Sequence, residues 1–169
     1  SNINNWTINT SAPVNMAEMF GSDDDNSDHQ FNQPIGNWNT SQVTNMSFMF
    51  AYNSAFNQNI GSWNTTNVVN MNGMFRGNLG QENPFNQDIG SWDISNCTDF
   101  TNFMIGKTNI TFSASNLDAI YNGWSTLTLS PSESITFGSA NYTTAVSQAG
   151  RDILTNAPNS WAITDGGGI

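Results

Sequence analysis

Charge is what this chain has least of: across 169 residues there are three basic side chains, Arg76, Lys107 and Arg151, against 13 acidic ones, a formal net charge of −10. So acidic a balance repels phosphate backbones and anionic lipid headgroups, which excludes nucleic acid as a partner and disfavours a charged membrane surface. A single cysteine, Cys97, permits no intrachain disulfide. A single histidine, His29, has no serine or cysteine motif around it, so no nucleophile and base are paired by sequence. No run approaches the ~18 apolar residues of a membrane span, and no basic-then-apolar leader opens the chain, so no membrane insertion is expected of this segment. Its first residues already read as the interior of a repeat, and any export signal or anchor is expected to lie outside it. Phosphate-cradling glycine motifs are missing, because Gly166, Gly167 and Gly168 form a terminal tail rather than a loop before a helix. The carboxylates fall in no pattern that builds a hydrolytic cleft, and no enzyme is expected.

What the chain does have is asparagine, 28 of them, together with 37% hydrophobic and 12% aromatic residues. That apolar content is enough for a folded core despite the low charge. It is distributed as a repeat. The string Phe31-Asn32-Gln33-Pro34-Ile35-Gly36-Asn37-Trp38-Asn39-Thr40 and its continuation to Phe50 returns from Phe56 to Phe75 and from Phe85 to Met104, at intervals of 25 and 29 residues. Residues 3–20 are an earlier copy without the Phe-Asn-Gln opening. The apolar positions repeat as columns: Ile35, Ile60 and Ile89; Trp38, Trp63 and Trp92; Val43, Val68 and Cys97; Met46, Met71 and Phe100; Phe50, Phe75 and Met104. Cys97 therefore reads as a small buried hydrophobe rather than a reactive thiol. Asn32, Asn57 and Asn86, with Gln33, Gln58 and Gln87, read as side-chain ladders between neighbouring copies.

A period in the twenties points to stacked repeats, since one copy cannot bury enough apolar surface to offset the entropy of ordering its own backbone. The Trp-x-Thr/Ile alternation reads as a short strand. Val43, Met46, Met49 and Phe50 fall on one face of a helical turn with Ser41 as its cap. The fold expected is α/β: a short, right-handed, leucine-rich-repeat-like solenoid of about four coils of 25–29 residues over 1–106, closed by a small αβ cap over 107–169. Within that cap, a helix is expected after Ser115, a strand at Ser134–Phe137, a second helix at Thr143–Thr155 and a last strand at Trp161–Thr164.

The string Phe-Asn-Gln-x-Ile-Gly-x-Trp-Asn-Thr-Ser-x-Val-Thr-Asn-Met-Ser-x-Met-Phe resembles the repeat of the BspA-like leucine-rich-repeat surface proteins of bacteria. Ile135-Thr136-Phe137-Gly138 and Trp161-Ala162-Ile163-Thr164-Asp165-Gly166 resemble, less specifically, the C-terminal segment of secreted members. The resemblance implies an extracellular or cell-surface location and adhesion to an extracellular protein or glycan, and it brings no catalytic residues. Two other uses fit the same pattern: a segment of an extracellular fibre that self-associates through the uncapped N-terminal copy, or a phage or secreted receptor-binding module.

The insertions Gly21–Gln30 and Arg76–Pro84 recur at one corner of the repeat, where repeat proteins often bind. The first holds the one dense anionic cluster, with Asp23, Asp25 and Asp28 as candidate calcium ligands. Alternating oxygen donors are what calcium takes, at ~10⁻⁴–10⁻³ M in surface modules. No distal bidentate Glu follows, so a solvated acidic loop is the competing reading.

Overall fold

The structure is a computed structural model that describes residues 8, 11–24, 28–77 and 83–169. Its local logic starts at an asparagine. In each copy the residue before the closing Met-x-x-Met-Phe segment is Asn15, Asn45, Asn70 or Asp99. Its side-chain oxygen accepts the backbone N–H two residues on, from Ala17, Ser47, Asn72 and Thr101, at 2.8–3.0 Å. This side-chain turn bends the chain. The next residue then takes a left-handed conformation in every copy, with φ of 58° at Glu18, 54° at Phe48, 59° at Gly73 and 58° at Asn102.

That turn overturns the expected α/β solenoid. A left-handed residue in mid-segment cannot be part of an α-helix, and the apolar i, i+3, i+7 spacing belongs instead to consecutive turns. The only helices among the described residues are α1, Ala114–Trp124, and α2, Thr144–Thr155, both after the repeated segment. Strand content is equally small: β1 (Val14–Asn15) pairs in parallel with β2 (Val43–Asn45), and β3 (Ser134–Thr136) with β4 (Ala162–Thr164). The Trp-x-Thr segments are not strands. Regular secondary structure is sparse, and no strand–helix coil forms.

What aligns the copies is hydrogen bonding between successive turns. Met16, Glu18 and Phe20 donate their amides to Asn45, Ser47 and Met49; Met46, Phe48 and Phe50 donate to Asn70, Asn72 and Met74; Met71, Gly73 and Phe75 donate to Asp99, Thr101 and Phe103, all at 2.8–3.0 Å. Parallel bridges Asn45 to Asn70 and Asn70 to Asp99 fall on the same line. Side chains repeat the register. The indole of Trp63 donates to the carbonyl of Ile35 at 3.0 Å and that of Trp92 to Ile60 at 3.1 Å. Asn32 accepts from the Asn57 amide and the Gln58 side chain, and Asn57 from Asn86 and Gln87 in the same way.

Inside, the closing phenylalanine of one copy lies flat on the opening phenylalanine of the next. The ring centroids of Phe20 and Phe31 are 3.7 Å apart, those of Phe50 and Phe56 3.8 Å, and those of Phe75 and Phe85 4.0 Å. Ile35, Ile60, Ile89, Val43, Val68, Met46, Met71, Phe100 and Cys97 are buried around them. The first copy is described only from Ile8 and residues 11–20; its match at Ile3–Trp6 lies outside the described residues, so the copy expected to self-associate is described in part, with Met16 buried and Phe20 half-buried.

The C-terminal segment carries the same bonds onward with different elements. Ser113 N-caps α1, and both its amide and the Asn116 side chain donate to Asn86 at 2.8–2.9 Å. Trp124 then donates to Ile89 at 3.2 Å, as Trp92 does to Ile60. Helix α1 comes so close that a Cβ on Gly90 would sit 2.3 Å from the Ala119 carbonyl, which leaves room for glycine alone. Thr143 makes no side-chain cap for α2; the buried Asp118 of α1 does so instead, accepting from the Thr143 amide at 2.8 Å and the Ser147 hydroxyl at 2.5 Å. Beyond α1, Met104 donates to Thr136 of β3, which sets the β3–β4 pair against the last copy.

Trp63, 3% exposed, combines a buried ring with a bond across two copies. Trp63→Ala is expected to lower unfolding free energy by ~3–5 kcal/mol, the usual cost of truncating a buried aromatic. Trp63→Phe keeps most of the ring and removes one of the two bonds that the Ile35 carbonyl accepts, the other coming from the Trp38 amide at 3.1 Å, for a loss of ~0.5–1.5 kcal/mol. Urea unfolding of the two variants checks both, and an unchanged midpoint for Trp63→Ala contradicts the packing described.

Candidate functional site

Most polar side chains of the repeated segment are consumed by the fold. A hollow of about 510 Å³ at the corner of two copies, lined by Asn59, Gly61, Ser62, Asp88 and Ser91, shows this. Ser62 and Ser91 donate to the carbonyls of Gly36 and Gly61 at 3.0 and 2.9 Å. Asn59 and Asp88 each accept an amide two residues on. Four of the five lining residues thus have their side chains committed inside the chain.

The seam where β3 and β4 meet the last copy is different. A hollow of about 270 Å³ there is lined by Thr101, Asn102, Ser134, Ile135, Thr136, Ala162 and Thr164. Parallel pairing sets Ser134, Ile135 and Thr136 beside Ala162, Ile163 and Thr164. Strand alternation then buries Ile135 and leaves Ser134, Ala162 and Thr164 exposed. Thr136 has its hydroxyl occupied, accepting from the Gly138 amide at 3.1 Å. The side chains of Thr101, Asn102, Ser134 and Thr164 enter no hydrogen bond among the described residues. These three hydroxyls and one carboxamide share one hollow with no charged group in its lining. Glu133, just before Ser134, has its pKa raised by partial burial and then by the charge of Asp99. One clue to the seam lies in the chain itself, the alternation of Ser134-x-Thr136 and Ala162-x-Thr164; that these two strands rest on Thr101 and Asn102 is a long-range fact no local pattern carries.

The cations do not form a binding patch. Lys107 is buried, 1% exposed, and its ammonium donates to the carbonyls of Asn83 and Phe85. The Arg151 guanidinium donates to Asp165 at 2.7 Å and lies over the Tyr142 ring, and Arg76 lies over the Tyr52 ring. Asp165 also accepts from the Tyr121 hydroxyl at 2.5 Å; burial first, and that bond second, push the Tyr121 pKa upward. This cluster fastens the C-terminal tail to both helices.

In the acidic loop, Asp25 lies outside the described residues, so the proposed calcium set cannot be assembled from Asp23 and Asp28 alone. Asp28 accepts from the Ser54 hydroxyl at 2.5 Å and the Gln30 amide at 3.0 Å, which together hold its carboxyl below the ordinary range. His29 bridges to Asn53 through its backbone, and its Nε2 is buried without a hydrogen-bond partner among the described residues. Among the described residues, no three His, Cys, Asp or Glu side chains are disposed to hold a metal ion.

Residues 1–119 match the family described as DUF285, a Mycoplasma protein of unknown function. No curated protein and no solved structure matches the chain.

Cys97 is the remaining reactive side chain. It is 1% exposed, and burial pushes its pKa up to about 12, against a weaker lowering by hydrogen bonding from the Asp99 backbone; the thiol itself donates to the Asp99 carbonyl at 3.8 Å. The folded state therefore holds the thiol neutral, while the unfolded chain ionises near the ordinary thiol value. The stability this contributes is complete below that value and is lost as pH rises through it toward the folded one. Labelling by an aromatic disulfide reagent at pH 8 is expected to run roughly 100-fold slower in the native protein than in denaturant. Equal rates would place Cys97 at the surface.

Proposed function

Taking as premise that the chain belongs to the DUF285 family, we propose that it is a non-catalytic recognition module working outside the cell, at a bacterial surface. The observation that carries this reading is the seam: uncommitted neutral donors and acceptors gathered in one hollow, on a scaffold in which most polar side chains of the repeated segment are hydrogen-bonded internally. A rigid frame with a few free polar groups is how binding surfaces keep the entropic cost of association low. The extracellular assignment is supported by the resemblance of the repeated string to BspA-like surface repeats. It is also supported by a surface chemistry of Asn, Ser and Thr that needs little charge to stay hydrated. The acidic balance favours neutral or cationic ligands over polyanions.

A printed array of neutral glycans, sulfated glycans and extracellular matrix proteins tests the reading directly. Saturable capture of the folded chain on at least one neutral or basic class, lost after thermal unfolding, is the expected result. Retention only on sulfated spots, or on none, would contradict it.

A further inference from the structure

We propose that the seam hollow between Thr101–Asn102 and the β3–β4 pair is a subsite for one neutral hexose-type ring of a glycan. This inference rests on the recognition reading above and names the ligand class for its site. Three observations carry it. The first is the kind of group left free. Thr101, Ser134 and Thr164 each present a hydroxyl, able to donate and to accept, and Asn102 presents a carboxamide with both a donor and an acceptor end. A sugar ring offers the same ambivalence, since every hydroxyl it carries does both. A phosphate or carboxylate needs donors alone, and an ammonium needs acceptors alone. The second is the absence of charge from the lining, coupled to the Asp99 and Glu133 carboxylates close by, which disfavour an anionic ligand. The third is shape: about 270 Å³, an open hollow of monosaccharide rather than peptide-segment size, with the exposed Ala162 methyl as an apolar contact for the C–H face of the ring.

Preorganisation strengthens the case. Ser134 and Thr164 are held by paired strands, and Thr101 and Asn102 by the side-chain turn on Asp99, with Asn102 locked at φ 58°. The four groups are therefore positioned before any ligand arrives. No aromatic ring is in the lining, so the stacking that strengthens many sugar sites is missing and a single ring should bind in the millimolar range, rising with valency.

The test is saturation-transfer and amide-shift NMR on the intact chain with glucose, galactose, mannose and N-acetylglucosamine, and with glucuronate and a sulfated hexose as anionic probes. The expected result is saturable shifts at residues 101–102, 134–136 and 162–164 with one or more neutral sugars and none with the anions. Ser134→Ala combined with Thr164→Val should weaken binding at least tenfold while the melting temperature is kept, and Ser91→Ala, at the other hollow, should leave it unchanged. Shifts elsewhere only, equal binding by the double variant, or a preference for the anions would overturn the subsite. If no neutral sugar shifts the seam yet the chain still captures a protein on the array, the subsite fails and the recognition reading stands; if neither occurs, both fail.

Discussion

The fold depends on one repeated bond, the amide of each closing turn donating to a carbonyl in the following copy. Within each of the closing turns Met16–Phe20, Met46–Phe50 and Met71–Phe75 these bonds recur at every second residue, at 2.8–3.0 Å. They are possible because an asparagine or aspartate oxygen bends the chain and a left-handed residue follows, which turns alternate amides toward the neighbour. Without a neighbour those amides have no partner, and a buried unpaired amide costs as much as a lost hydrogen bond. Each copy is thus stable only beside the next, so stability belongs to the row and not to the unit.

Everything buried follows that register. Because the turns are locked at one spacing, the phenylalanine rings meet face to face, and indoles reach back to the isoleucine carbonyl of the preceding copy. The register survives a change of architecture after residue 106. Helix α1 supplies Trp124 to the bond that the tryptophan of a fifth copy would have supplied, and Asn86 finds its donors at Ser113 and Asn116. At the seam, β3 takes the amide of Met104 but leaves outward hydroxyls unspent. The hollow lies where the repeat gives way to other elements, and four neutral polar side chains there are not matched one for one with a next copy.

Much of this was legible from the chain. The columns of isoleucine, tryptophan and methionine repeat visibly, and the two helices of the C-terminal segment were expected near where they lie, the first after Ser115 whereas its cap is Ser113, the second from Thr143. The architecture of the repeat was not, because turns and helices share an apolar spacing of three to four residues. Gly73 and Asn102 stand at the left-handed position, and these two residue types adopt that conformation most readily; Glu18 and Phe48 at the same position hid the signal. The Asp118 cap of α2 and the seam depend on contacts across 25 residues or more, which no local pattern encodes.

The most direct test of the shared-register account is native-state hydrogen exchange at Met46, Phe48, Phe50, Met71, Gly73 and Phe75. If the copies stand or fall together, these six amides exchange only through global opening and show one common protection that falls in parallel as denaturant rises. Protection confined to α1 and α2, with the six amides exchanging at rates of an open loop, would contradict the claim that inter-copy bonds hold the structure.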